Sequence, residues 1–146
     1  MLVGDNDNFV EVLLVEATPQ ALPGAGDLRL RVRVTFSTFH AEYDRVWVTA
    51  SDFQAFLSEL KALEERRQGS ATLASMSPNE LILQVHSTDR AGHMAVTGQL
   101  GRWCYARGNG MLWCQLPFDF ALSCPSQLPQ FLAEFRAMAA SPEPRL

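Results

Sequence analysis

Three histidines, three cysteines and a few glycine-bearing turns are the residues whose types could do chemistry. His40 falls in a turn, His86 ends a strand-like run, and His93 begins the next run after Gly92. His86 and His93 can approach each other across their hairpin, which gives two metal ligands at most. No cysteine or carboxylate stands at ligand spacing to complete a site. A cysteine nucleophile needs a nearby base or helix start to lower its pKa. Only Cys124, before Pro125-Ser126, comes near one, and small buried hydrophobe is the better account of Cys104, Cys114 and Cys124. Ser123-Cys124-Pro125-Ser126 has no nucleophile-elbow glycines. Gly98-Gln99-Leu100-Gly101 and Gly108-Asn109-Gly110 are not followed by the helix start that a phosphate cradle requires. Asp5-Asn6-Asp7-Asn8 resembles the start of a calcium loop. It lacks the glycine and distant glutamate of one, and reads as a turn or frayed terminus. The expectation is no catalytic residue, no metal and no cofactor, and hence a protein that is not an enzyme.

The elements that would position any site are easier to read. Ser51–Arg67, SDFQAFLSELKALEERR, and Ser126–Ala140, SQLPQFLAEFRAMAA, repeat one pattern. Phe53, Phe56, Leu57, Leu60 and Leu63 in the first, and Leu128, Phe131, Leu132, Phe135 and Met138 in the second, recur at helical spacing. Each stretch is an amphipathic helix that must bury its stripe. Ser51 with Gln54 has the form of an N-terminal capping box, and Gly69 is the expected stop. Leu28–Phe36 is the cleanest strand, with Leu28, Leu30, Val32, Val34 and Phe36 alternating with Arg29, Arg31, Arg33 and Thr35. Further strands are expected at Phe9–Val15, Tyr43–Thr49, Leu81–Val85 and Met94–Leu100, with a hairpin around Asn109-Gly110. A type I′ turn there would set Tyr105 opposite Cys114 and Trp103 opposite Leu116. Trp103, Tyr105, Leu112, Cys114, Leu116 and Phe118 would then share a core face, with Cys104 on the other. The fold expected is α+β: an antiparallel sheet of about six or seven strands with two amphipathic helices. The matching helices suggest duplication of a strand-strand-strand-helix unit. One domain spans 1–146, with residues 1–8 and 141–146 expected to fray.

A hydrophobic content of 47% with 19% charge is ordinary for a soluble globular chain. No run approaches a membrane span, and the first residues lack the pattern of a secretory signal. An odd cysteine count without such a signal fits reduced thiols in a cytoplasm. A net charge of −4 disfavours nucleic-acid binding and suits solubility or a basic partner.

One surface stands out. With Ser37–Ala41 as the bend, Arg31 opposes Trp47 and Arg33 opposes Arg45, so Arg29, Arg31, Arg33, Tyr43, Arg45 and Trp47 share the outer face of one hairpin. Arginine, tyrosine and tryptophan dominate interface hot spots, which makes this face a candidate for partner binding. The alternative is an acidic surface on loops near Glu42, Asp44, Glu64 and Glu65.

Asp52-Phe53…Phe56-Leu57…Leu60…Leu63, the alternating run at Leu81–Val85, Gly92-His93-Met94-Ala95-Val96 and the closing Leu128…Phe131-Leu132 carry a resemblance. Over about residues 9–138 the chain resembles the WapI-type bacterial immunity proteins and related uncharacterised bacterial families. The resemblance implies a small cytoplasmic protein that binds and neutralises a toxin domain delivered by neighbouring cells, often a nuclease. It carries no catalytic residues over. The Pro/Gly loop at Thr18–Asp27 and the hairpin at Trp103–Cys114 depart from the pattern. A second reading is a carrier of a small apolar ligand, held between sheet and helix by Trp103, Tyr105, Phe118 and Phe120. The sequence leaves the oligomeric state open.

Overall fold

The structure, a computed structural model, describes residues 1–122 and 127–140. Period-two alternation writes its first layer. Strands β1 (Leu2–Gly4), β2 (Asn8–Ala17), β3 (Leu28–Phe36) and β4 (Phe39–Val48) form an antiparallel meander in that order. In β3, Leu28, Leu30, Val32 and Val34 are buried while Arg29, Arg31 and Arg33 turn outward. Helix α1 (Ala50–Arg66) follows. Strands β5 (Ser70–Ala74), β6 (Leu81–Ser87), β7 (Met94–Tyr105) and β8 (Met111–Leu122) then build a second antiparallel meander, closed by α2 (Gln127–Ala140).

The single sheet of six or seven strands is thus corrected to two sheets of four strands each. The extra strands are short ones that periodicity cannot resolve: β1 has three residues and β5 has five. The element order is correspondingly four strands and a helix, twice over. Residues expected to fray at the start are instead paired. Leu2–Gly4 lies against Phe9–Glu11, and Met1 and Val3 are buried. The Asp5 carboxylate accepts the N–H groups of Asp7 and Asn8 at 2.9 and 2.8 Å, which makes the acidic stretch a turn and holds that carboxyl below its ordinary range. The 141–146 tail, Cys124 and the Pro125-Ser126 helix start lie outside the described residues.

The helices bury the stripes that their spacing dictates. Phe53, Phe56, Leu57, Leu60 and Leu63 of α1 and Leu128, Phe131, Leu132 and Phe135 of α2 are buried, with Met138 packed beside them. Phe135 receives Phe53 and Phe56 edge-on at 6.0 and 5.1 Å, which locks helix to helix. Burying each such side chain stabilises the fold by about 1.5–3 kcal/mol relative to exposure. The α1 cap is Thr49 and not Ser51: its hydroxyl accepts the Asp52 N–H at 3.0 Å. The helix ends on Arg67 in the left-handed conformation, φ 57°, two residues before the expected glycine. Asp27 ties the Pro/Gly loop to this helix by accepting the Ala50 N–H at 2.8 Å. Between the sheets, Phe36 stacks on Phe120 at 5.2 Å, and one buried apolar cluster includes residues of both sheets and both helices.

Candidate docking surface

The β3–β4 hairpin turns more tightly than its sequence indicates. Phe36 pairs with Phe39 across Ser37-Thr38, with Ser37 at φ 54°, and a bulge opposite Arg31 absorbs the residue count. Three consequences follow for the arginine face. Arg29, not Arg31, opposes Trp47, and Arg33 opposes Glu42 instead of Arg45. Tyr43 opposes Val32, so its ring leaves that face and packs against the core, with the Arg102 guanidinium 4.7 Å above it. The arginines are also not an uncompensated cluster. Arg29 meets Glu16 at 2.7 Å, Arg33 meets Glu42 at 2.9 Å and Glu11 at 3.8 Å, and Arg31 meets Glu42 at 3.8 Å. Such exposed pairs add little stability, but they cancel the field of the arginines. Trp47 is half-buried there, and Arg45 is exposed in the bulge.

The acidic alternative also separates. Glu42 and Asp44 lie within β4 and Glu64 and Glu65 within α1, so none is on a loop. Glu42 is committed to Arg31 and Arg33, and Glu65 to Lys61 at 3.9 Å. The histidines stay apart as well. His86 pairs with Ala95 inside the sheet, whereas His93 sits in the β6–β7 loop with its Nδ1 2.6 Å from Asp89. That contact is the main cause of the Asp89 carboxyl lying below its ordinary range. Among the described residues no three His, Cys, Asp or Glu side chains are grouped as metal ligands.

The β7–β8 hairpin departs furthest from its expected register. Trp103 pairs with Trp113, Arg102 with Cys114 and Cys104 with Leu112. The loop is Ala106–Gly110, closed by the Ala106 N–H on the Gly110 carbonyl at 2.9 Å. Asn109 has positive φ but Gly110 does not, so no two-residue turn forms on that pair. The shift reassigns both faces. Trp103, Tyr105, Met111 and Trp113 gather on one side; Arg102, Cys104, Leu112, Cys114 and Leu116 gather on the other. The two thiols therefore share a face, as free cysteines. The neighbouring Cys104 thiol is the main reason the Cys114 thiol is pushed above its ordinary pKa, with partial burial adding to it. Each thiol donates to a carbonyl two residues back, Cys104 to Arg102 at 4.0 Å and Cys114 to Leu112 at 3.9 Å.

This hairpin overhangs its sheet. Strand β6 ends at the Leu81–Leu100 pair, so Gly101–Tyr105 and Met111–Gln115 continue as a ribbon of two strands. Trp113 covers Gly101, where only a residue without a Cβ admits the indole, and Trp103 meets Trp113 edge-on at 5.4 Å. The rest is open to solvent: Tyr105 is 93% exposed, Trp103 55%, Met111 59% and Leu112 58%. Phe39, on the neighbouring β3–β4 turn, is 70% exposed. Phe118 and Phe120, by contrast, are buried. The four aromatics assigned to a carrier cavity thus divide between open surface and core. Sequence reading missed Phe39, Met111 and Trp113 as surface residues. The repeated Trp-Cys pairs at 103–104 and 113–114 were the available signal, since a five-residue loop sets tryptophan opposite tryptophan.

Between this ribbon and β4 lies a cleft of about 350 Å³. Leu100 and Leu116 line its depth, Phe39 and Tyr43 one wall, and Cys104 and Cys114 the other, with Arg102 and Glu42 alongside.

A two-sheet α+β protein that concentrates its exposed aromatics on one projecting ribbon has the make-up of a protein-binding module. Residues 1–142 match the model of the immunity protein WapI-like family, and the chain belongs to that family. No curated protein and no solved structure matches it. Among the described residues, no helix is long and apolar enough to cross a membrane.

Proposed function

We propose that this protein is a cytoplasmic, non-enzymatic immunity protein that binds and neutralises a toxin domain. The β7–β8 ribbon with the adjoining β3–β4 turn is its docking surface. Family membership supplies the class of function. The observation that carries the site is the exposure of Trp103, Tyr105, Met111, Leu112 and Phe39 at one end of the molecule. A ribbon of two strands is marginal by itself, and large apolar side chains held in water cost solubility. A partner that covers them removes both liabilities. The arginine face is less suited, since Glu16 and Glu42 already pair with Arg29, Arg31 and Arg33 in charge.

The test is genetic and then physical. A toxin-bearing reading frame is expected immediately upstream of the gene. Expressing its toxin domain in cells should arrest growth, and co-expressing this protein should restore it. The two should also co-elute as one complex in size exclusion. Growth arrest that persists, with the two chains eluting apart, contradicts the proposal. So would self-association of this chain through the ribbon that leaves no surface for the toxin.

A further inference from the structure

We infer that the cleft between β4 and the β7–β8 ribbon is a receptor for an acidic, apolar-tipped segment of the toxin domain. An apolar side chain fills the space beside Leu100 and Leu116, and a carboxylate lies on Arg102. This inference rests on the proposed immunity function and names the chemistry of the partner at that site.

Charge carries it. The chain has a net charge of −4, yet residues 101–118 hold Arg102 and Arg107 and no aspartate or glutamate. The ribbon is therefore a cationic projection from an acidic protein, which draws an acidic surface toward it and repels a basic one. Arg102 is exposed and lies over the Tyr43 ring, and among the described residues no carboxylate pairs with it. Its ring contact fixes the guanidinium beside the opening and leaves N–H donors for a carboxylate, the acceptor whose geometry matches them. Arg31 and Arg33, a short distance away on the other side of β4, have their carboxylates already.

Shape carries the rest. The cleft, at about 350 Å³, is at the small end of the range for ligand pockets and suits a side chain better than a free metabolite. Its lining is mostly apolar; the one carboxylate in it, Glu42, is held by Arg33 and Arg31, and the two thiols on its wall are weak donors that a hydrocarbon or aromatic tip can cover. The exposed indole and phenol of Trp103 and Tyr105 lie on the opposite face of the same ribbon. A partner that seats a side chain in the cleft would thus straddle the ribbon and cover both faces.

Two readouts test this, with a catalytically inactivated form of the upstream-encoded toxin domain as probe. Arg102→Glu should weaken binding about tenfold or more, because it sets like charges against each other. Arg45→Glu, a charge reversal away from the cleft, should leave affinity unchanged. Thermal midpoints of both variants report whether either change merely unfolds the protein, and Arg102→Gln, which removes the charge without reversing it, should give an intermediate loss. The second readout needs no substitution. Alkylation of Cys104 and Cys114, followed by mass spectrometry of their peptides at pH 9, should proceed in the free protein and be lost in the complex. Equal affinity of the Arg102→Glu variant, with both thiols still alkylated in the complex, would overturn the cleft assignment and leave the immunity function standing. A toxin domain that binds neither wild type nor variant overturns both.

Discussion

Phe56→Ala and Phe131→Ala are each expected to destabilise the protein by about 3–5 kcal/mol, the usual loss for truncating a phenylalanine in a packed core. Phe56 is fully buried and Phe131 is 2% exposed. The Phe56 ring stands perpendicular to that of Phe135, at 5.1 Å, so its removal also forfeits an edge contact between the two helices. The neighbours are two helices and two sheets sharing one apolar cluster, which leaves little freedom to collapse into the void. Urea denaturation measures the effect directly, as a drop in midpoint at unchanged slope. Midpoints within error of the parent's in both variants would mean that the helices do not pack as described. A Phe39→Ala variant makes the complementary control: Phe39 is 70% exposed, and its loss should change the unfolding free energy by no more than about 0.5 kcal/mol.

The second large effect is on binding and not on folding. Trp103→Ala combined with Tyr105→Ala should leave the fold intact and weaken the complex with the toxin domain by about 2–4 kcal/mol or more, roughly 30- to 1,000-fold. Tyr105 is almost wholly exposed, so the free protein loses nearly nothing with it. Trp103 gives up its edge contact with Trp113, worth about 0.5–1.5 kcal/mol. Once covered by a partner, the same two rings are the largest apolar surfaces on the ribbon. Calorimetric titration of the inactivated toxin domain into wild type and double variant separates the outcomes. An affinity unchanged by the double substitution would remove the ribbon from the interface.

Where the fold was legible, local chemistry sufficed. The stripe from Phe53 to Leu63 and its counterpart from Leu128 to Phe135 fix both helices and the face each buries. The alternation from Leu28 to Phe36 fixes β3 to the residue. Register was not legible, and the candidate site depended on it. In a strand the side-chain period is two, so a small change in turn length moves residues to the other face. The tight turn at Ser37-Thr38 and the bulge opposite Arg31 carried Tyr43 inward and set Glu42, not Arg45, beside Arg33. The five-residue loop at Ala106–Gly110 carried Trp103 and Tyr105 outward and brought the two cysteines onto one face. Asn109-Gly110 is a strong turn signal, but it reports that a turn exists and not how many residues the turn spends. The ion pairs of the arginines were hidden for a further reason. Glu11 and Glu16 come from β2, and which strand lies beside β3 is a property of the meander and not of any local pattern.

Hydroxyl-radical footprinting of the protein, alone and bound to the inactivated toxin domain, tests the central claim most directly, because tryptophan, tyrosine and methionine side chains report on both candidate faces at once. On this account Trp103, Tyr105 and Met111 are oxidised in the free protein and protected in the complex, while Trp47 is oxidised equally in both. Protection of Trp47, with Trp103 and Tyr105 left as reactive as before, would return the docking surface to the outer face of β3 and β4 and contradict the assignment to the ribbon.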